Sequence, residues 1–309
     1  MLNRFDYRKI RQLLLLAVVV EEKSFRRAAQ RLSMSLPPLT AQIDELEERL
    51  GLKLLSRSPR GVEVTPEGRA LLPEVKRMVE QAELLDYSVS RIRSGQRGLL
   101  TLGAVMEAML AWVPDFQKRI AVTMPETAVF TKEIDSVEAT TGLADNRFDL
   151  AVGYFREPDA PNLRRAVLSR ERPVVLLPAG SPLASQPVLR LADLAREDWV
   201  LPAHDVSPDY VESLTAACRR AGFEPRIRHE VSSTMRQAAY VGCGQGLALV
   251  PAFFLCMLPP SVAGRELADT EPFIELCALW RTDLVSPVRD AALLAAGVTE
   301  AKDLPTATM

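Results

Sequence analysis

The chain has 309 residues, of which 48% are hydrophobic and 25% charged, with a formal net charge of −2. That length exceeds one ordinary small core and predicts two or three domains, while the near-average composition excludes a disordered or low-complexity chain. The near-neutral total conceals a basic start: residues 1–31 carry Arg4, Arg8, Lys9, Arg11, Lys23, Arg26, Arg27 and Arg31 against Asp6, Glu21 and Glu22, a bias that points toward nucleic acid.

The first apolar run, Leu13–Val20 (LLLLAVVV), falls short of the ~18–20 residues that cross a bilayer. Glu21 and Glu22 stand where a signal peptide would place small residues. Ile10, Leu13, Leu14, Ala17 and Val18 instead predict a helix with one apolar face. KSFRRAAQRLSM predicts a second helix, capped by Ser24, with Phe25, Ala28, Ala29 and Leu32 inward and Arg26, Arg27 and Arg31 outward. The segment SMSLPPLTAQIDELE (33–47) holds adjacent prolines, Pro37 and Pro38. Proline is tolerated in a helix's first turn, where the N–H it lacks has no intrahelical partner. With Ser35 as N-cap and Leu36 as the first helical residue, both prolines start a helix. Leu39, Ile43, Leu46 and Leu50 form its apolar stripe, and Gly51 ends it. Two short helices around a tight turn make a helix-turn-helix. The LKLL and GVEVT segments then predict a hairpin, a wing bearing Arg57 and Arg60.

SFRRAAQRLSMSLPPLTAQIDELEERLGLKLLSRSPRGVEVTPEG resembles the amino-terminal motif of LysR-type transcriptional regulators in its serine-aromatic start, the Ala28-Ala29 pair, Ser35 before proline, LEERLG and the closing T-x-x-G. The resemblance implies DNA binding through a winged helix-turn-helix head, with the positions of Leu36, Pro37, Thr40 and Ala41 meeting the major groove. Glutamine is more usual in the family at Leu36, and basic residues at Ala41 and Asp44. Of that quartet only Thr40 can hydrogen-bond a base edge or phosphate, while Leu36 and Ala41 offer apolar contact to thymine methyls. Asp44 is repelled by phosphate unless it accepts from a cytosine amino group or pairs with a nearby arginine. Affinity therefore has to come mainly from Arg26, Arg27, Arg31, Arg57 and Arg60 and from backbone N–H groups near Ser35.

TPEGRALLPEVKRMVEQAELLDYSVSRIRSG predicts a helix of about 28 residues, roughly 42 Å, with Thr65 as cap and Pro66 at its first position. Leu71, Val75, Met78, Ala82, Leu85, Val89 and Ile92 recur at alternating spacings of four and three, a heptad seam that calls for a partner helix. The simplest partner is the same helix of a second chain, and paired heads ask for a two-fold symmetric site. The resemblance implies a homodimer that pairs into a homotetramer.

Ser94-Gly95-Gln96-Arg97-Gly98 reads as a hinge. Beyond it, LLTLGAV, TAVFTKEI, DLAVGY, PVVLLP, WVLPA, RIRHEV, GLALVP and FIELCALWR read as strands between helical stretches, which predicts parallel α/β units. NRFDLAVG, SPLA, AGFEPRI and VGCGQGLALVP, in that order, are similar to the two-lobed periplasmic-binding-protein-like effector domain of the same regulators. The expected boundaries are 6–64 for the head, 65–94 for the linker helix and 95–300 for the effector domain. Its first lobe spans about 99–167 and 262–300, and its second about 168–261. Ligands of such folds sit at strand ends against helix starts. That rule nominates Met106 after Ala104 and Val105, Asp135 and Ser136, His204 and Ser207, and Ser233 and Thr234. In the family the effector is commonly a small organic anion; Asp135, where glycine or asparagine is common, works against one.

The chain has two histidines, His204 and His229, and no H-E-x-x-H, G-x-S-x-G or phosphate-loop pattern. No catalytic residue, metal site or cofactor is expected. Cys218, Cys243, Cys256 and Cys277 form no C-x-x-C pair, as in reduced cytoplasmic proteins. The reading is a cytoplasmic, ligand-responsive transcription factor with no membrane association. Its partners are double-stranded DNA carrying a two-fold symmetric promoter site, a small-molecule effector and, as a candidate, RNA polymerase. The alternatives are a DNA-binding regulator under redox or constitutive control, and a solute-binding protein.

Overall fold

The computed structural model describes residues 7–58, 61–93 and 98–298. The chain divides into two compact units, one ending at Ser90 and the other beginning at Arg91. No helix among the described residues is long and apolar enough to cross a membrane.

The first unit comprises helices α1 (Tyr7–Glu22), α2 (Phe25–Arg31) and α3 (Leu36–Leu50), strands β1 (Leu55–Ser58) and β2 (Gly61–Val64), and helix α4 (Pro66–Arg93). Ser24 caps α2 by accepting from the Arg27 N–H. Leu36, Pro37 and Pro38 form the first turn of α3, and Gly51 closes it in the left-handed conformation at φ 66°, which glycine adopts without a Cβ penalty. Leu39, Ile43 and Leu46 are fully buried against Leu16, Val19, Ala28 and Ala29. Two expectations shift. The most buried residues of α1 are Gln12, Leu15, Leu16, Ala17 and Val19; of the expected stripe of Ile10, Leu13, Leu14, Ala17 and Val18 only Ala17 is among them, because a run apolar on every side leaves the helical phase undefined. The first wing strand starts at Leu55 and not at Leu52, since Leu54 and Leu55 turn into the core as the chain leaves α3.

The cause of that turn is Glu47. It is 4% exposed, accepts from the Leu54 and Leu55 N–H groups at 2.8 and 3.0 Å, and pairs with Lys53 Nζ at 2.7 Å. Burial opposes the charge, but the Lys53 ammonium and the Leu55 and Leu54 N–H groups hold the Glu47 carboxyl below its ordinary value. A depressed folded-state value stabilises at pH above the unfolded value, and that contribution is lost as pH falls through the folded one. Glu47→Ala strands two buried N–H groups, so we expect a loss of about 2–4 kcal/mol at neutral pH, read by chemical denaturation. The gap to the parent should narrow below about pH 4; a gap that is flat with pH would remove Glu47 from this role.

At the start of α4, Thr65 Oγ1 accepts from the Gly68 N–H at 3.0 Å and donates to the Lys53 carbonyl at 2.6 Å. A Cβ on Gly68 would stand 2.3 Å from the Leu54 carbonyl oxygen, which is why the motif closes T-x-x-G. Leu71 packs on the head core and Val75 is buried, while Leu85 and Val89 are 64% and 48% exposed. Pro73 lies inside α4 without ending it.

The second unit has two lobes, between which the chain crosses twice. The first lobe contains β3 (Gly98–Ala104), α5 (Met106–Ala111), α6 (Val113–Thr123), β4 (Thr127–Glu133), α7 (Ser136–Ala144), β5 (Leu150–Gly153) and β6 (Leu163–Glu171). The second contains β7 (Pro173–Pro178), β8 (Val188–Leu189), β9 (Asp198–Pro202), α8 (Pro208–Arg220), β10 (Arg226–Val231), α9 (Thr234–Gly242), β11 (Ala248–Pro251) and β12 (Val262–Leu267). Strand β13 (Ile274–Arg281) and helix α10 (Pro287–Ala295) return to the first lobe. Its sheet runs β4-β3-β5-β13-β6, with β3 parallel to β4 and β5, and β13 antiparallel to β5 and β6. In the second lobe β11-β7-β12-β8 form one sheet, joined to the parallel pair β10-β9 by a bridge between Trp199 and Leu247.

The sheets are therefore mixed, not all parallel. The crossings also fall later than 168 and 262. Strand β6 stays paired with β13 up to Glu171, and β12 pairs with β7 and β8 of the second lobe. Neither β6 nor β12 has a continuous apolar run, so neither carried a strand signal. Residues 94–97 of the expected hinge lie outside the described residues.

Candidate nucleic-acid interface and ligand cavity

Helix α3 presents Ser35, Leu36, Pro37, Ala41, Asp44 and Glu48 to solvent, with Thr40 half-buried. Leu36 is 44% exposed. Ser35 occupies the N-cap position without a side-chain cap bond, so its hydroxyl stays available. Glu45 turns partly inward: it accepts from Gln12 Nε2 at 3.0 Å and lies 3.9 Å from Arg49.

The arginines around α3 differ in their commitments. Arg26 is exposed and forms no ion pair among the described residues. Arg27 lies 3.5 Å from Glu22, and Arg31 lies 2.7 Å from Glu21 and 3.2 Å from Glu22. These are solvent-exposed pairs, each worth no more than about 1 kcal/mol, and a phosphate can replace them. Arg57 hydrogen-bonds and pairs with Asp44 and sits 4.5 Å from the centre of the Phe25 ring. It thus ties the wing to both helices and neutralises the carboxylate that would meet DNA most awkwardly. Arg60 lies outside the described residues, as does the Ile92 side chain of the seam. The surface offered by Leu36, Pro37, Thr40 and Ala41 is small, weakly polar and uncharged, flanked by guanidinium groups, with Glu48 exposed further along the helix.

Between the lobes of the second unit lies a cavity of about 590 Å³, within the usual size of small-molecule sites. Met106, Asp135, Ser136, Ser207, Ser233 and Thr234 all line it. His204 does not: it is exposed on the turn after β9, where Ser207 is the residue that faces in. Ser136 follows β4 and begins α7, Ser207 stands at the N-cap position of α8 without a side-chain cap bond, and Ser233 caps α9 by accepting from the Arg236 N–H. Three helix starts thus converge on one space because strand ends deliver the chain there from both lobes.

Four contacts cross between the lobes around this cavity. Ser207 Oγ donates to Ser136 Oγ at 3.1 Å, with both residues buried. Thr234 hydrogen-bonds Glu107. Tyr154 and Tyr210 stack with ring centroids 4.5 Å apart and planes at 18°. Arg156 lies 3.3 Å from Asp209, whose carboxylate also accepts from the Arg156 N–H. Burial above all, with neighbouring Glu107 and Glu171, pushes both phenols well above their ordinary range, so they stay neutral. The Tyr210 hydroxyl is buried and has no hydrogen-bond partner among the described residues.

Sequence reasoning missed Glu107, Glu133, Tyr154, Tyr210 and Arg236, all in the cavity lining. Glu133 could have been found, since it ends the strand before Asp135. The tyrosines could not, because one follows β5 in the first lobe and the other lies two residues into α8 in the second, and only the packing of the lobes stacks them.

The motifs of the second half turn out to set turns. In NRFDLAVG, the Asp149 carboxylate accepts from the Thr101 N–H and hydroxyl at 2.8 and 2.7 Å, clamping β5 to β3. In VGCGQGLALVP, Gly246 adopts φ 143° with its missing Cβ 2.8 Å from the Asp198 carbonyl oxygen, which lets the chain pass β9 on its way into β11.

Residues 10–69 match the family model described as bacterial regulatory helix-turn-helix protein, lysR family, and residues 93–296 match the LysR substrate binding domain. The chain is 33% identical over 292 residues to the HTH-type transcriptional regulator TfdS of Cupriavidus pinatubonensis, covering 92% of this chain and 96% of that one. It is 32% identical over 289 residues to the HTH-type transcriptional regulator IlvR of Caulobacter vibrioides, with the same coverage of 92% and 96%. Among solved structures, full-length CbnR in complex with its target DNA is similar in fold, with a TM-score of 0.77 at 22% identity, over 93% of this chain and 98% of that one.

Proposed function

The chain belongs to the LysR family; it is a DNA-binding transcriptional regulator and not an enzyme, and we propose that a small effector held in the cavity between its lobes sets how paired reading heads grip a promoter. The observation that carries this reading is the position of the cavity: the same serines, threonine and tyrosines that line it also hold the two lobes together. An effector entering there competes with or reinforces those contacts, and so shifts the balance between lobe arrangements.

On the DNA side, Leu36, Pro37, Thr40 and Ala41 enter the major groove, with thymine-methyl contact at Leu36 and Ala41. Arg26, Arg27, Arg31, Arg57 and Arg60 meet phosphates, and Ser35 contributes at the helix start. Leu71, Val75, Met78, Ala82, Leu85, Val89 and Ile92 form the seam between two copies, Leu85 and Val89 being its exposed part in the single chain. Dimers pair into tetramers, and effector-driven change in lobe packing alters head spacing and the bend of the DNA. The protein works in the cytoplasm on a two-fold symmetric site. Among the thiols, Cys218 and Cys277 are buried and pushed up to about 11 by that burial, which leaves them poor redox sensors.

Incubating the purified full-length chain with sheared DNA of its own genome, then sequencing what it retains, tests this reading. The expected outcome is a small set of promoter fragments sharing an interrupted inverted repeat. Uniform retention of all fragments, or none at low salt, would remove the regulator mechanism proposed here.

A further inference from the structure

The cavity is lopsided in charge. Its first-lobe wall carries Glu107, Glu133 and Asp135, and its second-lobe wall carries Arg236. None of the three carboxylates forms an ion pair among the described residues; Glu107 only accepts from the Thr234 hydroxyl. Arg236 hydrogen-bonds Ser232 and is the one cation in the lining.

The start of α7, where N–H groups and the helix dipole would otherwise attract an anion, is closed by the chain itself. Asp135 accepts from the third-residue N–H while Glu138 returns a bond to the Asp135 N–H at 3.2 Å. Partial desolvation, with Glu138 and Asp205 nearby, pushes the Asp135 carboxyl above its ordinary value: negative charge is already crowded on this wall. A carboxylate ligand placed there adds to the repulsion, whereas an ammonium relieves it and supplies the positive charge that these carboxylates lack among the described residues. Tyr210 lines the same cavity, and its buried hydroxyl has no partner among the described residues.

Building on the reading of this cavity as the effector site, we propose that the effector carries an ammonium group, bound by Glu107, Glu133 and Asp135, and that a simple carboxylate anion is rejected. A carboxylate on the same molecule is accommodated only toward Arg236, across the cleft, so amines and amino acids are the ligand class. The apolar part of the lining, including Leu110, Phe254 and Met257, accepts their hydrocarbon portion.

The test uses the full-length protein and matched probes in thermal melts, where a ligand held by the folded state raises Tm. One trio is leucine, 3-methylbutylamine and 4-methylpentanoate; another is phenylalanine, phenethylamine and 3-phenylpropanoate, followed by a wider panel of natural amines and amino acids. We expect ammonium-bearing members to raise Tm and the bare carboxylates to leave it unmoved. Asparagine still caps a helix, so the variant Glu133→Gln/Asp135→Asn should melt as the parent does without ligand yet bind the best amine roughly tenfold more weakly or worse. A Tm rise from bare carboxylates, silence from every ammonium-bearing compound, or undiminished amine affinity in that variant would each overturn the proposal. These outcomes leave retention of genomic promoter fragments untouched, so failure of the charge assignment and failure of the regulator reading are told apart.

Discussion

Replacing Leu85 and Val89 together by aspartate is expected to turn paired chains into single ones and to weaken binding to a two-fold symmetric site by roughly 10²–10⁴. The two residues are four apart on α4, consecutive positions of the seam, and are 64% and 48% exposed in the single chain. Burying them against a second copy removes apolar surface from water at about 25 cal/mol per Å². Aspartates there would have to be desolvated beside their symmetry mates, which reverses the sign of the interaction. The loss in DNA affinity follows from geometry, not from any lost DNA contact. Two linked heads bind the second half-site as an intramolecular event, and a single head does not. Because both side chains are solvent-facing in one chain, the helical content of the variant should match the parent. Light scattering and an electrophoretic titration on an inverted-repeat duplex read the two effects. A variant that remains dimeric, or a monomer that binds as tightly as the parent, would refute the seam.

Affinity for duplex DNA should fall roughly 10³–10⁵ between about 50 and 200 mM salt for a dimer that meets about six to ten phosphates. So steep a dependence is expected because α3 itself offers Leu36, Pro37, Thr40 and Ala41, with no formal charge among them. Its nearest acid, Asp44, is held by Arg57. The attraction then rests on guanidinium groups beside the helix. Arg26 is the sharpest probe, since it is exposed and free of any ion pair among the described residues. Arg26→Ala in both heads should lower the slope of log affinity against log salt by about two and weaken all sequences alike. Arg27 and Arg31 must first leave Glu22 and Glu21, so their substitution should cost less. A shallow slope in the parent, or an Arg26 variant that loses affinity for one sequence only, would move recognition off the phosphates and onto base contacts.

Much of the head and the order of its elements could be read from residues close together along the chain. Pro37 and Pro38 start α3 because a first-turn proline lacks only an N–H that has no partner; Ser24 and Thr65 cap, and Gly51 and Gly68 mark a left-handed end and a close crossing. Such signals act within one or two helical turns, so spacing alone exposes them. The helix starts that supply Ser136, Ser207, Ser233 and Thr234 were legible for the same reason.

What required the folded chain were relations between distant residues. Nothing local says which side of LLLLAVVV faces inward; the packing of α1 on α3 decides it. Glu47 reads as a surface acid on its own helix and is buried because the chain after Gly51 brings two N–H groups to it. His204 and Ser207 are three residues apart, yet only Ser207 meets the cavity, since a turn has no period from which to infer its direction. The Tyr154–Tyr210 stack comes from the crossing of the chain into the second lobe, and the unpaired carboxylate wall from the pairing of β3 with β4, which brings Glu107 to the same space as Glu133 and Asp135. Local steric and hydrogen-bond preferences thus determined where elements begin and end, whereas the site's charge and its lobe-to-lobe contacts arose from long-range topology that no short window of sequence contains.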